Sequence, residues 1–330
     1  MRIKRKSLLG AALLAGTLAA AGTVKRDVPL EGAREAYESS NYGKAVQILQ
    51  AAAAKDPQNA EVQLLLAMTY YELQQHDAAI AAAEKAVALE PRNSVYHEWL
   101  GRTYGEKAEH ASLFSALSLA KKTRKEFETA VKLDGHNFSA RQALIEYDCS
   151  VSGIAGGGED QARPQIAELA SLDAAEGHYA AGNCRRQKKD FAAADEEFTK
   201  ALASKPKSAE LVYDIGDYAM KRGQAERLLA VADAGEVLKP ADPRGKFYRA
   251  VALILEKEKL EKAEELLKEY LKVAPIRMDF PHPEDAHYWL GRLFQSQEKT
   301  QAAMDEYKTA MKLDPKNKNA REALKKLGKN

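Results

Sequence analysis

Apolar and polar positions along this chain recur with a period near 34 residues, and each period outlines two helices. Pro57, Pro91, Pro206, Pro240, Pro275 and Pro315 punctuate the pattern; the steps from 57 to 91 and from 206 to 240 are 34 residues, and that from 240 to 275 is 35. Five residues before these prolines stand Ala52, Ala86, Ala201, Gly235, Tyr270 and Ala310. Three residues earlier come Leu49, Ala83, Phe198, Ala232, Leu267 and Tyr307, and four earlier again Ala45, Ala79, Ala194, Leu228, Ala263 and Ala303. Offsets of three and four residues lie on one face of a 3.6-period helix. An earlier helix in each period carries a small residue, at Ala67, Gly101, Gly182, Gly216, Ala250 and Gly291. The two helices are expected to cross there, where bulk would hold the backbones apart.

Two segments 190 residues apart share most of their residues. His97-Glu98-Trp99-Leu100-Gly101-Arg102-Thr103-Tyr104 returns as His287-Tyr288-Trp289-Leu290-Gly291-Arg292-Leu293-Phe294, and the two hold both tryptophans of the chain. The pattern Trp-Leu-Gly-x-x-Tyr, then Ala, an aromatic or Leu, Ala and Pro resembles the tetratricopeptide repeat. The resemblance spans residues 26–328. It implies an all-α fold, a right-handed superhelical solenoid of about eight helix-turn-helix units in which repeats touch only their neighbours. The units fall near 26–59, 60–93, 94–137, 138–174, 175–208, 209–242, 243–277 and 284–317, with a capping helix over 319–327.

Three places depart from the pattern. The third unit gains about ten residues between Gly105 and Thr123, and the helical spacing of the insert predicts that both of its helices lengthen. The fourth carries Gly153, Gly156, Gly157 and Gly158 where a short turn belongs, a composition expected of a flexible loop. The seventh ends in a proline-rich linker at 276–283.

Residues 1–22 read as a secretory signal peptide. Arg2, Lys4, Arg5 and Lys6 precede an apolar run from Leu8 to Ala21, with Ala19-Ala20-Ala21 as a cleavage site. Export to the periplasm or the medium is expected, with no membrane span after cleavage; retention of the segment as an anchor is the alternative. Cleavage removes four cations and no acid, so 50 basic and 48 acidic residues become 46 and 48. A near-neutral mature chain argues against nucleic acid as partner. The run Lys121, Lys122, Arg124, Lys125 reads as a solvated helix face, with contact to anionic lipid or envelope polymer as the alternative. Cys149 and Cys184 lie late in the first helices of adjacent units. An oxidising compartment permits their pairing, but the register sets Cys149 nearer a concave face and Cys184 nearer the helix seam. A disulfide and two small half-buried hydrophobes are both open readings.

No catalytic residue, metal site or cofactor is expected. His97-Glu98 begins like H-E-x-x-H, but Gly101 stands where the second imidazole belongs. His97, His178 and His287 share one repeat position, which points to packing, and His282 and His287 are poorly spaced for one metal. The glycines at 153–158 lack the Gly-Lys-Ser/Thr of a nucleotide loop, and Glu159 and Asp160 follow them.

By the family resemblance, the fifth and ninth residues of each unit line a concave groove. Tyr179, Tyr213, Phe247 and Tyr288 supply the fifth in units five to eight. Arg102, Asn183, Asp217 and Arg292 are ninth-position residues, with Arg186 nearby. Tyr and Arg are common interface anchors, which suggests a peptide or protein site. The expected function is a non-catalytic interaction scaffold or adaptor. The alternatives are an enzyme or ligand-binding protein with its site at 105–165, and a structural envelope subunit that self-associates.

Overall fold

The computed structural model describes residues 28–151, 153–277 and 279–328. The expected signal segment, 1–22, lies outside them. Seventeen α-helices and one short 3₁₀ turn account for the secondary structure of the described residues, which contain no strand. No described helix is long and apolar enough to cross a membrane.

The chain divides into two compact units, with the boundary inside the last turn of α10. The first holds five helix pairs: α1 (Val28–Glu38) and α2 (Tyr42–Lys55), α3 (Ala60–Glu72) and α4 (His76–Leu89), α5 (Ser94–Glu109) and α6 (Leu113–Leu133), α7 (Phe138–Ser150) and α8 (Glu159–Leu172), α9 (Ala174–Gln187) and α10 (Phe191–Ala203). The second holds α11 (Ala209–Arg222) and α12 (Ala225–Leu238), α13 (Arg244–Glu256) and α14 (Leu260–Val273), α15 (Pro283–Ser296) and α16 (Thr300–Leu313), and a last helix α17 (Lys318–Leu327). The insert in the third pair lengthens both helices, to 16 residues in α5 and 21 in α6.

The sequence explains where these helices start and stop. Asn59, Asn93, Asn137, Asp173, Ser208 and Asn317 each accept a hydrogen bond from an N–H of the following first turn, satisfying groups that lack partners within the helix. Several of these caps stand two residues after a proline, so one short motif closes a pair and opens the next. In six of the eight pairs the turn holds a left-handed residue: Ser40, Gln74, Lys189, Lys257 and Glu298 adopt φ between 58° and 63°, and Gly223 fills that place with glycine.

In the pairs α5–α6, α9–α10 and α15–α16 the seam is glycine against the bulky site of the second helix. A Cβ on Gly101 would lie 2.6 Å from Phe127, one on Gly182 2.6 Å from Phe198, and one on Gly291 2.5 Å from Tyr307. Ala45, Leu49, Ala79, Ala83, Ala194, Phe198, Leu228, Ala232, Ala263, Leu267, Ala303 and Tyr307 are all buried, as the periodicity predicts. A histidine on the first helix also reaches a glutamate on the second in three pairs: His97 to Glu126 at 2.6 Å, His178 to Glu197 at 2.8 Å and His287 to Glu306 at 2.6 Å. The shared histidine position is thus a staple between paired helices.

Candidate functional site on the first helices

In the first unit, the side chains expected to await a ligand mostly hold one another. Arg102 donates two hydrogen bonds to Glu98 Oε1, at 2.9 and 2.8 Å, and one to Ser139 Oγ at 3.1 Å. Ser139 donates to the same Glu98 oxygen at 2.7 Å, and Asn137 donates to the other at 3.1 Å. The Arg102 guanidinium also lies over Trp99, 5.6 Å from the ring centre. This network joins α5 to α7 through residues that sequence periodicity alone places on one helix face. Further along, Gln142 donates to Glu176, and Gln187 Nε2 to Glu146 Oε1 at 3.0 Å, joining α7 to α9. Arg34 pairs with Glu61 between α1 and α3. Glu176 is buried with Asp173 beside it, and these two causes, burial first, push its carboxyl up to about 7 against the pull of Gln142. Asn183 and Arg186 are half-buried, and Asn183 Oδ1 is enclosed without a hydrogen-bond partner.

In the second unit, a cluster of rings joins the first helices. Tyr213 stacks on Tyr248 with centroids 5.6 Å apart and planes 16° from parallel. Phe247 meets Tyr248 at 5.5 Å and Tyr270 at 5.1 Å. The Tyr248 hydroxyl donates to Asp217 Oδ1 at 2.8 Å, so Asp217 is also engaged within the fold. Arg244 closes the cluster. It is 3% exposed and binds the Asp242 carboxylate through Nε and Nη2, the latter at 2.6 Å. It donates to the Asp279 carbonyl at 3.1 Å and lies between the rings of Tyr213 and Phe280, 4.2 and 4.5 Å from their centres. One buried guanidinium thus pins the linker after α14 to the start of α13. Burial, and then the charge of Asp242, push the Tyr213 hydroxyl up to about 12.

The groove expectation therefore needs correction. Tyr179, Tyr213 and Phe247 are 6%, 3% and 0% exposed, and cannot serve as open anchors. The cause is local. Gly235 on α12 leaves a hollow that the Tyr213 ring fills, a Cβ there falling 2.7 Å from Tyr213 Cε1. Phe247 packs against Tyr270, the equivalent site of the next pair. Tyr179 lies 6.1 Å from Phe198. Tyr288 is half-buried against Trp289 and Tyr307, and Arg292 lies over Trp289 at 4.7 Å. Of the aromatic run, then, only Tyr288 keeps an accessible edge, with Arg292 one turn along the same helix.

The irregular middle is packed rather than loose. Tyr147 donates to the Ala155 carbonyl at 2.8 Å, Gly158 N–H to the Asp148 carbonyl at 2.7 Å, and Arg124 Nε to the buried Asp148 carboxylate at 3.0 Å. Gly156 and Gly158 have φ of 91° and 133°, and a Cβ on Gly157 would lie 2.5 Å from the Val151 carbonyl oxygen. Backbone conformation and close approach, not flexibility, account for these glycines. The sulfurs of Cys149 and Cys184 are bonded, with Cα atoms 5.4 Å apart, linking α7 to α9. The register that set them on different faces ignored the offset between successive first helices. His282 forms a capping box with Asp285 at the start of α15, while His287 belongs to its glutamate staple.

Sequence reasoning missed Arg244. Its signal was Asp242-Pro243-Arg244 where other pairs place a lone asparagine, aspartate or serine cap. The glutamate partners of the histidines were legible, since each directly precedes the bulky aromatic of its second helix.

Two profiles described as tetratricopeptide repeat match the chain, one over residues 36–102 and the other over 175–208 and 284–317. Among solved structures, yeast Tom70 is similar over 94% of this chain and 65% of its own, with 14% identity and a TM-score of 0.58. A tetratricopeptide repeat protein from Parabacteroides merdae aligns over 92% and 98%, with 15% identity and a TM-score of 0.45. MamA aligns over 52% and 93%, with 18% identity and a TM-score of 0.39. No curated protein matches. The chain carries tetratricopeptide repeats over the matched residues, and its fold is of the kind that serves as a protein-interaction scaffold.

Proposed function

We propose that this protein is an exported, non-catalytic adaptor that captures a protein or peptide on the face of its first helices. The observation that carries this reading is the row of partly buried polar side chains on α5, α7 and α9, of which Arg102, Gln142 and Glu146 are already held by hydrogen bonds within the fold. Such side chains lose little further freedom on binding, which lowers the cost of association. The recognition is mainly polar, through Arg102, Gln142, Glu146 and Arg186, with Tyr288 and Arg292 as a separate anchor on α15. Export is supported by the basic-then-apolar start of the chain and by the Cys149–Cys184 bond, which suits an oxidising compartment.

Crosslinking and capture from the native cell would identify the partner, and calorimetry on variants would then test the face. Arg186→Ala and Arg292→Ala are expected to weaken binding by about 1–2 kcal/mol, with an effect that shrinks in salt. Lys200→Ala, on the exposed side of α10, is the neutral control. Equal binding by all three would remove the first-helix face from consideration. N-terminal sequencing of the extracytoplasmic fraction tests export. A chain beginning near Gly22 is expected, and a cytoplasmic protein with two reduced thiols would overturn it.

A further inference from the structure

The tip of the α5–α6 hairpin is unlike any other turn in the first unit. Its second helix has 21 residues, where α2, α4 and α8 have 14 each. The extra seven lie at the start of α6 and carry it about 10 Å beyond the length of its counterparts. Leu113 and Phe114 occupy this extension and are 81% and 88% exposed; Phe114 is the most exposed large apolar side chain among the described residues. No packing requirement of the repeat explains them. From His110 to Lys125 the chain has no acidic residue, and Lys121, Lys122, Arg124 and Lys125 follow the apolar pair. Arg124 is used by Asp148 and Glu128, and Lys122 lies over the Tyr104 ring at 5.0 Å. Lys121 and Lys125 are exposed, and at offsets of 7 and 11 they fall on the same helical stripe as Phe114.

The geometry points to an anionic phospholipid bilayer as the occupant of this tip. Leu113 and Phe114 enter the headgroup–acyl boundary, while Lys121 and Lys125 extend along the surface to lipid phosphates. Size and charge favour a membrane over a second protein. Two side chains supply roughly 300–400 Å² of apolar surface, whereas a stable protein interface buries about 800 Å² per partner. A bilayer needs only a few inserted side chains together with neighbouring cations. Glu109, at the end of α5, is the acidic side chain nearest the tip in sequence, and it opposes rather than abolishes the local positive charge.

Co-sedimentation of the full chain with vesicles, made of phosphatidylcholine with or without phosphatidylglycerol, provides the test. Because any contribution of the N-terminal segment is common to all variants, the comparison isolates the tip. Binding to the phosphatidylglycerol vesicles is expected to fall at least about tenfold in the double variant Leu113→Ser, Phe114→Ser. A decrease of about fivefold or more is expected in Lys121→Gln, Lys125→Gln, and a similar decrease for the unaltered chain in high salt. All four side chains are exposed, so unchanged circular dichroism is expected. A Phe114→Trp variant should show fluorescence quenched by brominated lipid. Equal vesicle binding by all variants, or a tip-dependent dimer in sedimentation without vesicle binding, would overturn the proposal, the second result assigning the tip to another copy of the chain.

Discussion

The two units join their first helices by different means. From 28 to 201 the joints are mostly charged or covalent: Glu98 with Arg102 and Ser139, Gln142 with Glu176, Cys149 with Cys184, beside one edge-on ring contact of Tyr71 with Trp99. From 202 to 328 they are rings around a single buried cation: Tyr213, Tyr248, Phe247, Tyr270 and Phe280 around Arg244. The helix-pair frame is the same, with the same glycine seams and the same caps. A repeat therefore fixes where its neighbour sits without fixing how the contact is made. The charged unit should respond to pH and reductant, and the aromatic unit should depend heavily on one residue. Trp99 reports the first unit and Trp289 the second, so Trp289→Phe and Trp99→Phe backgrounds read each separately.

The largest effect is expected in the aromatic unit. Arg244→Met leaves the Asp242 carboxylate buried without its partner, at a cost of about 3–5 kcal/mol. Urea unfolding followed by Trp289 should show the loss, with the Trp99 signal little changed. A drop confined to Trp99 would reverse the comparison.

Next comes the pH response of the charged unit. The Glu176 carboxyl is raised from 4.5 to about 7 in the fold, chiefly by burial and then by Asp173. The folded state therefore holds this proton while the unfolded chain releases it. Stability is greatest below the unfolded value and is lost as pH rises through the folded one, by about 3 kcal/mol in all. Glu176→Gln should abolish that decline and stabilise the first unit at pH 8. An unaltered profile in the variant would assign the pH dependence elsewhere.

The seams common to both units give a smaller effect. Gly101→Leu must displace Phe127, and overpacking of this kind costs about 1–3 kcal/mol. An unchanged midpoint would mean that α5 and α6 can separate freely. Smallest is the turn at Lys189, whose φ of 63° favours glycine. Lys189→Gly should stabilise by up to about 1 kcal/mol, as read from thermal melts.

The frame was legible because it rests on short-range rules. Small residues at a crossing, bulky ones three and four positions away and a cap after proline are each visible in one segment of chain. The open or closed state of the groove was not. Tyr213 and Tyr288 occupy equivalent places, yet one is buried and the other half-exposed, and the difference lies in Gly235 and in an arginine reaching from the next pair. Such contacts join residues 22 to 36 positions apart, and spacing within one helix carries no trace of them. The Cys149–Cys184 contact is of the same kind, set by the shift between consecutive first helices.

That bond has a mechanical consequence. A stack in which repeats touch only their neighbours lengthens under tension by peeling from its ends, pair by pair. The bond closes a loop across a sequence separation of 35 residues, which holds the whole of α8 and the glycine-rich turn. Pulled from both termini, the oxidised chain cannot pay out this loop, and its contour stays about 120 Å shorter than that of the reduced chain. A protein carrying load between two attachments would thus have a built-in stop, set by the redox state of its surroundings.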